Sequence, residues 1–379
     1  MTGFIKRAFD HHAIKYGWVP PPEIDILFVN HEESLTGAPA ILLSIAKHFK
    51  KKLKPGRLRV LSRRKGDAHG RFKAEFDMIY PRDFYPRRLY PRLTPYQLAK
   101  KFLKLYRPKL VYANCVDSHE YVRAARALGI PVILHAHELR RGFYGNLKEG
   151  VFKEEGMVTH FADSADHFIC PSQEVYDLMV KSYGVRPAQL DLVHEFIDTD
   201  AVRRQSLGKC GKGLHEPLVV ACGVGEDRKG VDRFVEVARQ MPEINFVWIG
   251  KLYIYLGAIP KNVYFTDAVQ NPFPLMKKAD VFVLMSKEDP FPLVVLEAMA
   301  LGRPVITLRD SGGSHHAVGE AGVVMEKMDV PEMKKQIRRL LDHPALRKEL
   351  GEKAMARVER EFGVNAGIQK IEKIVERFL

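Results

Sequence analysis

Short apolar runs alternate with stretches of helical spacing along the whole chain. The runs are Ile24–Val29, Arg59–Leu61, Phe76–Tyr80, Leu110–Ala113, Pro131–Leu134, His167–Cys170, Leu190–Val193, Leu218–Cys222, Ile244–Ile249, Val263–Phe265, Val281–Leu284 and Pro304–Leu308. Most are continuously apolar, the pattern of a strand covered on both faces, whereas a half-exposed strand alternates. With helices between them, they predict doubly wound α/β layers built on parallel sheets. They are too many for one comfortable sheet. The polar stretch Asp198–Gly213, with three glycines, precedes a new apolar series, so the predicted boundary lies near residue 198. Two Rossmann-like domains are expected, over 1–198 and 199–379, facing each other across a cleft. The last helix, predicted over Gly367–Phe378, carries Ile368, Ile371, Ile374, Val375 and Phe378 on one face and is a candidate to pack back across the boundary.

Ligands of open α/β sheets sit at the carboxyl ends of strands and at helix N-termini, so the strand-to-helix turns are the places to look for chemistry. Val29–Ile41 (VNHEESLTGAPAI) follows the first run. Thr36 is a candidate helix cap, Gly37 allows close backbone approach, and Pro39 suits a first turn. The plain alternative is an ordinary capped turn. Gly223–Gly230 (GVGEDRKG) sets Arg228 beside Lys229 in a glycine-bearing turn. A planar fork next to a point charge suits a diphosphate, although the turn is neither a complete dinucleotide fingerprint nor a P-loop. Ser286–Gly302 (SKEDPFPLVVLEAMALG) runs from a strand through an acidic, proline-bearing loop into a helix predicted from Leu293. Acidic capping accounts for Glu288 or Asp289. It does not account for Glu297, set inside the apolar stretch LVVLEAMAL.

This last stretch resembles the signature of the retaining glycosyltransferases of family 4, which have the GT-B fold. Their pattern places two glutamates eight positions apart around Phe-Gly-Leu, followed by Glu-Ala-x-Ala-x-Gly-x-Pro-Val. Here Asp289 and Glu297 hold the two acidic positions, and Phe291, Pro292 and Leu293 replace Phe-Gly-Leu. Ala298, Ala300, Gly302, Pro304 and Val305 match. Gly37 resembles the family's glycine-rich loop after the first strand, and Lys229-Gly230 its Lys-Gly. Ala165–Tyr183 resembles the stretch ahead of the hinge, and Leu192–Asp198 occupies the hinge.

The resemblance implies a retaining, metal-independent transfer from a nucleotide-diphosphate sugar. Gly37, Arg228 and Lys229, with the amides near Leu293 and Val294, would hold the leaving diphosphate. Glu297 would take the ribose hydroxyls, Asp289 with Glu288 the sugar hydroxyls, and Phe291 would line the donor site. His137, in His135-x-His137-Glu138, would contact the sugar near the reacting carbon. No metal and no cofactor are expected. A zinc reading of His135 and His137 would need a third ligand, for which His315 and His316 are the candidates.

Several positions depart from the family pattern. Asp289 is one methylene short, Val224 stands where an arginine is common, His316 takes an acidic position, and Glu195-Phe196 replaces Asn-Gly in the hinge. They motivate a rival reading as a non-catalytic GT-B-like binding subunit.

Charge adds one more feature. The chain of 379 residues carries +14. Residues 47–109 hold 21 Lys/Arg against Asp67, Glu75, Asp77 and Asp83, a local +17, so the remainder sums to −3. Tyr80, Phe84, Tyr85, Tyr90, Tyr96 and Phe102 lie among these cations. An anionic membrane, an anionic acceptor, a nucleic acid or a plain solvated face would each suit such a segment. The segment lies in the domain that binds acceptor in the family, so docking to membrane or anionic acceptor is favoured over nucleic acid. The expected acceptor is a glycan or a lipid-linked molecule. With no run of 18 apolar residues, no secretion signal and four unpaired, scattered cysteines, a cytoplasmic enzyme is expected, peripheral at the inner face of the membrane.

Overall fold

In a computed structural model of the chain, residues 14–15, 17, 21–85, 92–141, 161–208 and 215–379 are described. Tyr90 and Cys210 fall outside them. The chain divides into two compact units. Met1–Val193 and Ile368–Leu379 form one, and His194–Gly367 the other.

The first unit holds a six-stranded, all-parallel sheet: β1 (Ile26–Asn30), β2 (Leu58–Ser62), β3 (Leu110–Asn114), β4 (Val132–His135), β5 (His167–Cys170) and β6 (Leu190–Leu192), in the order β2-β1-β3-β4-β5-β6. Every residue of β1, β3, β4 and β5 is buried, as continuous apolar runs demand. Ile26 pairs with Leu58 on one side and Leu110 on the other, which sets β1 between β2 and β3. Helices Gly37–Lys52, Pro95–Tyr106, His119–Arg126 and Gln173–Tyr183 connect the strands. Helix Pro95–Tyr106 starts on a reciprocal capping box, in which the Thr94 hydroxyl accepts from the Gln97 N–H and the Gln97 side chain accepts from the Thr94 N–H.

The second unit repeats the plan with β7 (Leu218–Cys222), β8 (Asn245–Ile249), β9 (Val263–Phe265), β10 (Val281–Val283), β11 (Val305–Leu308) and β12 (Val323–Met325), in the order β12-β11-β10-β7-β8-β9. Separate apolar clusters around Phe282 and Leu296, and around Phe234 and Phe246, fill its core.

The elements differ from the sequence pattern in three places. Phe76–Tyr80 is not a strand; only Ile79 bridges to Leu61, at the edge beside β2. β12 was not predicted, because three residues at a sheet edge leave almost no periodic signal. The first part of the polar stretch Asp198–Gly213 is helical. Asp198 caps a helix, Thr199–Gln205, by accepting the Ala201 N–H at 2.8 Å. The compact units divide at Val193–His194. The closing helix, Val364–Val375, enters the first unit from Ile368 onward, burying Ile368, Ile371, Ile374 and Val375.

Candidate functional site

In the second unit, the sequence places its charged turns at the carboxyl ends of β7 and β10. The turn after β7 closes on Gly230, whose φ of +73° favours glycine. A Cβ there would lie 2.0 Å from the Met285 carbonyl oxygen, so glycine is what lets the two turns touch. The backbones are then laced together, with the Lys287 N–H donating to the Arg228 carbonyl at 2.8 Å.

Four of the expected donor residues meet here. Lys229 Nζ donates to Asp289 Oδ2 at 2.6 Å, within a mostly buried ion pair. Arg228 donates to the Glu288 carbonyl at 3.1 Å and pairs with Glu226 at 2.9 Å. Asp289 is 4% exposed, and its main chain is held by the next turn, its N–H donating to the Ser311 carbonyl at 2.6 Å. The shorter Asp therefore sits in a defined place, set by Ser311–Gly313.

The helix Leu293–Ala300 begins beside this pair. Pro292 occupies its cap without a side-chain cap bond, and its first turn holds no acid. Leu293 and Val294 are half-buried, and their turn adds the partial positive charge of a helix N-terminus. Glu297 lies on the half-buried face. Burial first, and then the Glu297 carboxylate, push the Cys222 thiol up, which places Glu297 by the end of β7. Phe291 is buried, and its ring stacks on His194 at 4.9 Å and 19°. His316, at the family's acidic position, lies 6.3 Å from His194 and 4.0 Å from His315, ring to ring. This aromatic row is not visible in the sequence, because its members come from residues 194, 291, 315 and 316.

The first unit has its own polar cluster at the ends of β1, β3 and β4. Asn114, fully buried, ties the turn at Gly37 to His137. Its Nδ2 donates to the Ala38 carbonyl at 3.1 Å, and its Oδ1 lies 2.9 Å from His137 Nε2. Sequence reasoning missed Asn114; a lone Asn ending an apolar strand was the available signal. Glu138 accepts the His137 and Val116 N–H groups at 2.9 and 3.2 Å. Burial pushes its carboxyl up to about 7, against the pull of His137. His135 is buried against the Tyr112 hydroxyl at 2.9 Å, and burial holds it well below the usual imidazole range. Burial also lowers His31 to about 4, opposed by Asp117. Thr36 precedes the helix as expected but makes no side-chain cap bond; its hydroxyl instead lies 2.7 Å from that of Ser34.

The basic segment differs most from its reading. Phe102 and Tyr85 are buried in the first unit, and Phe84 packs partly against its core. Tyr80 donates to the buried Glu33 at 2.6 Å, and Tyr96 faces the Arg123 guanidinium at 5.0 Å. These aromatics are core and tertiary contacts, so what reaches the surface is mainly cations.

Comparison with known proteins agrees with the motifs. A model described as Glycosyltransferase Family 4 matches residues 36–201, and one described as Glycosyl transferases group 1 matches residues 216–343. The chain belongs to these glycosyltransferases. One relative of this family member is an alpha-galactosylglucosyldiacylglycerol synthase from Streptococcus pneumoniae, 32% identical over 38% of this chain and 41% of its own. Another is a D-inositol 3-phosphate glycosyltransferase from Mycobacteroides abscessus, 24% identical over 53% and 52%. The chain thus spans about two fifths to one half of the length of these relatives. In fold, the glycosyltransferase matches Anabaena HepE, solved in complex with UDP-glucose, with a TM-score of 0.75 at 19% identity, over 93% of this chain and 99% of that one.

Proposed function

We propose that the protein transfers a sugar from a nucleotide-diphosphate sugar to a glycan or lipid-linked acceptor, with retention and without a metal. The observation that carries the reading is the meeting of Arg228 and Lys229 with Glu288 and Asp289 beside the helix that bears Glu297. Cations and helix amides aimed at one place stabilise a leaving diphosphate as its charge grows. Glu297 binds the ribose hydroxyls, and Asp289 the hydroxyls of the sugar. Gly37 joins the diphosphate contacts, and His137 acts at the sugar near the reacting carbon. These four roles follow the family resemblance. The acceptor oxygen forms a bond to the anomeric carbon, the bond from that carbon to the diphosphate oxygen breaks, and the acceptor proton passes to the leaving phosphate.

The structural neighbour solved with UDP-glucose supports a uridine donor as the first to try. The diacylglycerol-glycoside synthase among the relatives supports a lipid acceptor. A thermal-shift screen of UDP, GDP, ADP and their sugars tests the donor. A ligand at 100 times its dissociation constant adds about 2.7 kcal/mol. Glu297→Ala is expected to abolish both that shift and turnover, and a variant that turns over like wild type refutes the assignment.

A second reading, a nucleotide-binding subunit without catalysis, draws on the Lys229–Asp289 pair, which leaves each group already engaged. It predicts donor binding with neither hydrolysis nor transfer.

A further inference from the structure

Among the described residues, the large hydrophobic side chains that stand in solvent are not spread evenly. Tyr253 (64% exposed), Tyr255 (94%), Ile259 (42%) and Tyr264 (43%) lie within one twelve-residue stretch of the second unit, while the others are Leu207 and Leu379. This stretch follows β8 and runs into β9, which holds Tyr264. Its residues alternate in burial: Leu252, Ile254 and Leu256 pack against the core, and Lys251, Tyr253 and Tyr255 point out. The exposure is thus built in, since the inward row holds the outward row in place. Lys251 lies over the Tyr253 ring at 5.3 Å. From Gly250 to Asp267 there are two lysines, Lys251 and Lys261, and one acid, Asp267, which bridges to Gly250.

The loop is also fastened to its surroundings. The Arg239 guanidinium donates to the Ala258 carbonyl at 3.0 Å. The Gly225 N–H donates to the Lys251 carbonyl, and the Tyr253 N–H to the Gly225 carbonyl, each at 2.8 Å. A Cβ on Gly225 would lie 2.9 Å from the Leu252 Cα. The tyrosine loop is therefore strapped to the turn that carries Arg228 and Lys229.

We propose that Lys251–Tyr264 is a membrane-docking surface, whose tyrosines enter the headgroup layer of an anionic bilayer. Tyrosine suits that layer because its ring is apolar and its hydroxyl stays wet. Two lysines against one acid leave the stretch net positive, which draws it to anionic lipid. The strap to Gly225 adds a consequence that rests on the proposed transferase function: docking holds the diphosphate-binding turn at the bilayer, where a lipid-borne acceptor lies. This surface belongs to the second unit, whereas the cations of residues 47–109 belong to the first.

The test uses the full chain and vesicles of phosphatidylcholine, alone or mixed with phosphatidylglycerol. The emission of Tyr255→Trp is expected to shift to shorter wavelength with the mixed vesicles and to be quenched by brominated acyl chains. The shift is read as the difference from wild type, which carries both native tryptophans, Trp18 and Trp248. Tyr253→Ser/Tyr255→Ser is expected to lower vesicle partition about tenfold, with nucleotide-sugar affinity unchanged. An unshifted Tyr255→Trp spectrum overturns the proposal, as does a serine pair that floats like wild type; in either case vesicle binding by wild type would fall to the basic segment. Wild type that floats with neither vesicle overturns both membrane readings, and the thermal-shift screen still decides the donor reading separately.

Discussion

The Lys229–Asp289 pair shows how one residue can be needed twice. Buried ion pairs are costly to break from one side, because the surviving charge loses its partner in a place water hardly reaches. Asp289→Ala is therefore expected to cost about 3 kcal/mol of stability, read by urea denaturation. Lys229→Met/Asp289→Leu replaces both charges with apolar bulk and is expected to regain most of that loss while nucleotide-sugar binding stays absent. If the double variant binds donor like wild type, neither side chain contacts it. Gly230 makes a simpler case. Its φ of +73° and the Met285 carbonyl 2.0 Å from a would-be Cβ leave no room for a methyl group. Gly230→Ala should lower stability by at least about 2 kcal/mol. The Asp-to-Glu spacing and the Lys-Gly pair were both legible in the sequence. That Lys229 would bond to Asp289 was not, because the contact joins residues sixty positions apart.

At the scale of elements, strand ends decide what meets. β1, β3 and β4 run in register, so Asn114 pairs with His135 across β3 and β4. That register lets one side chain reach both Ala38 and His137. Asn114→Ala is expected to leave the Ala38 carbonyl and the His137 ring without these bonds, costing about 1–3 kcal/mol. If His137 acts at the sugar, kcat should fall more than donor affinity, and an equal loss in both would point to a general collapse of the unit. The closing helix shows the reverse relation, in which an element's sequence is set by its neighbour. A Cβ on Gly367 would lie 1.9 Å from the Phe196 ring, so glycine there is a seat for Phe196. The sequence showed this helix's apolar face but not that seat, since Phe196 is far away along the chain.

For the whole molecule, buried titratable groups set how stability follows pH. Burial lowers His31 from 6.5 to about 4 and His119 to about 3, and raises Glu138 from 4.5 to about 7. At about 1.4 kcal/mol per unit, these are worth roughly 3, 5 and 3 kcal/mol. The histidines bind more protons when unfolded, so their contribution is present above pH 6.5 and is lost as pH falls toward 4 and 3. Glu138 binds its proton more tightly when folded, so it favours the folded state at low pH and loses that contribution as pH rises from 4.5 through 7. The histidine effect is larger, so stability should peak between about pH 6 and 7 and fall steeply on the acid side. Urea denaturation from pH 4.5 to 8 reads this directly, and His119→Gln should flatten the acid limb. An acid limb that is equally steep in that variant would place the proton uptake elsewhere.

Local pattern by itself determined that this chain is α/β, with parallel sheets in two units, because a strand buried on both faces must be apolar throughout. It also marked the charged turns and the acidic helix of the family signature, because those residues are near neighbours in the chain. Only the tertiary structure decided what faces water. The aromatics among the cations of 47–109 read as surface in the sequence, yet Phe102 and Tyr85 complete the first unit's core. The tyrosines after β8 alternate with apolar residues like an ordinary strand, yet they stand in solvent. Exposure depends on which elements cover a segment, and those elements are supplied by distant parts of the chain.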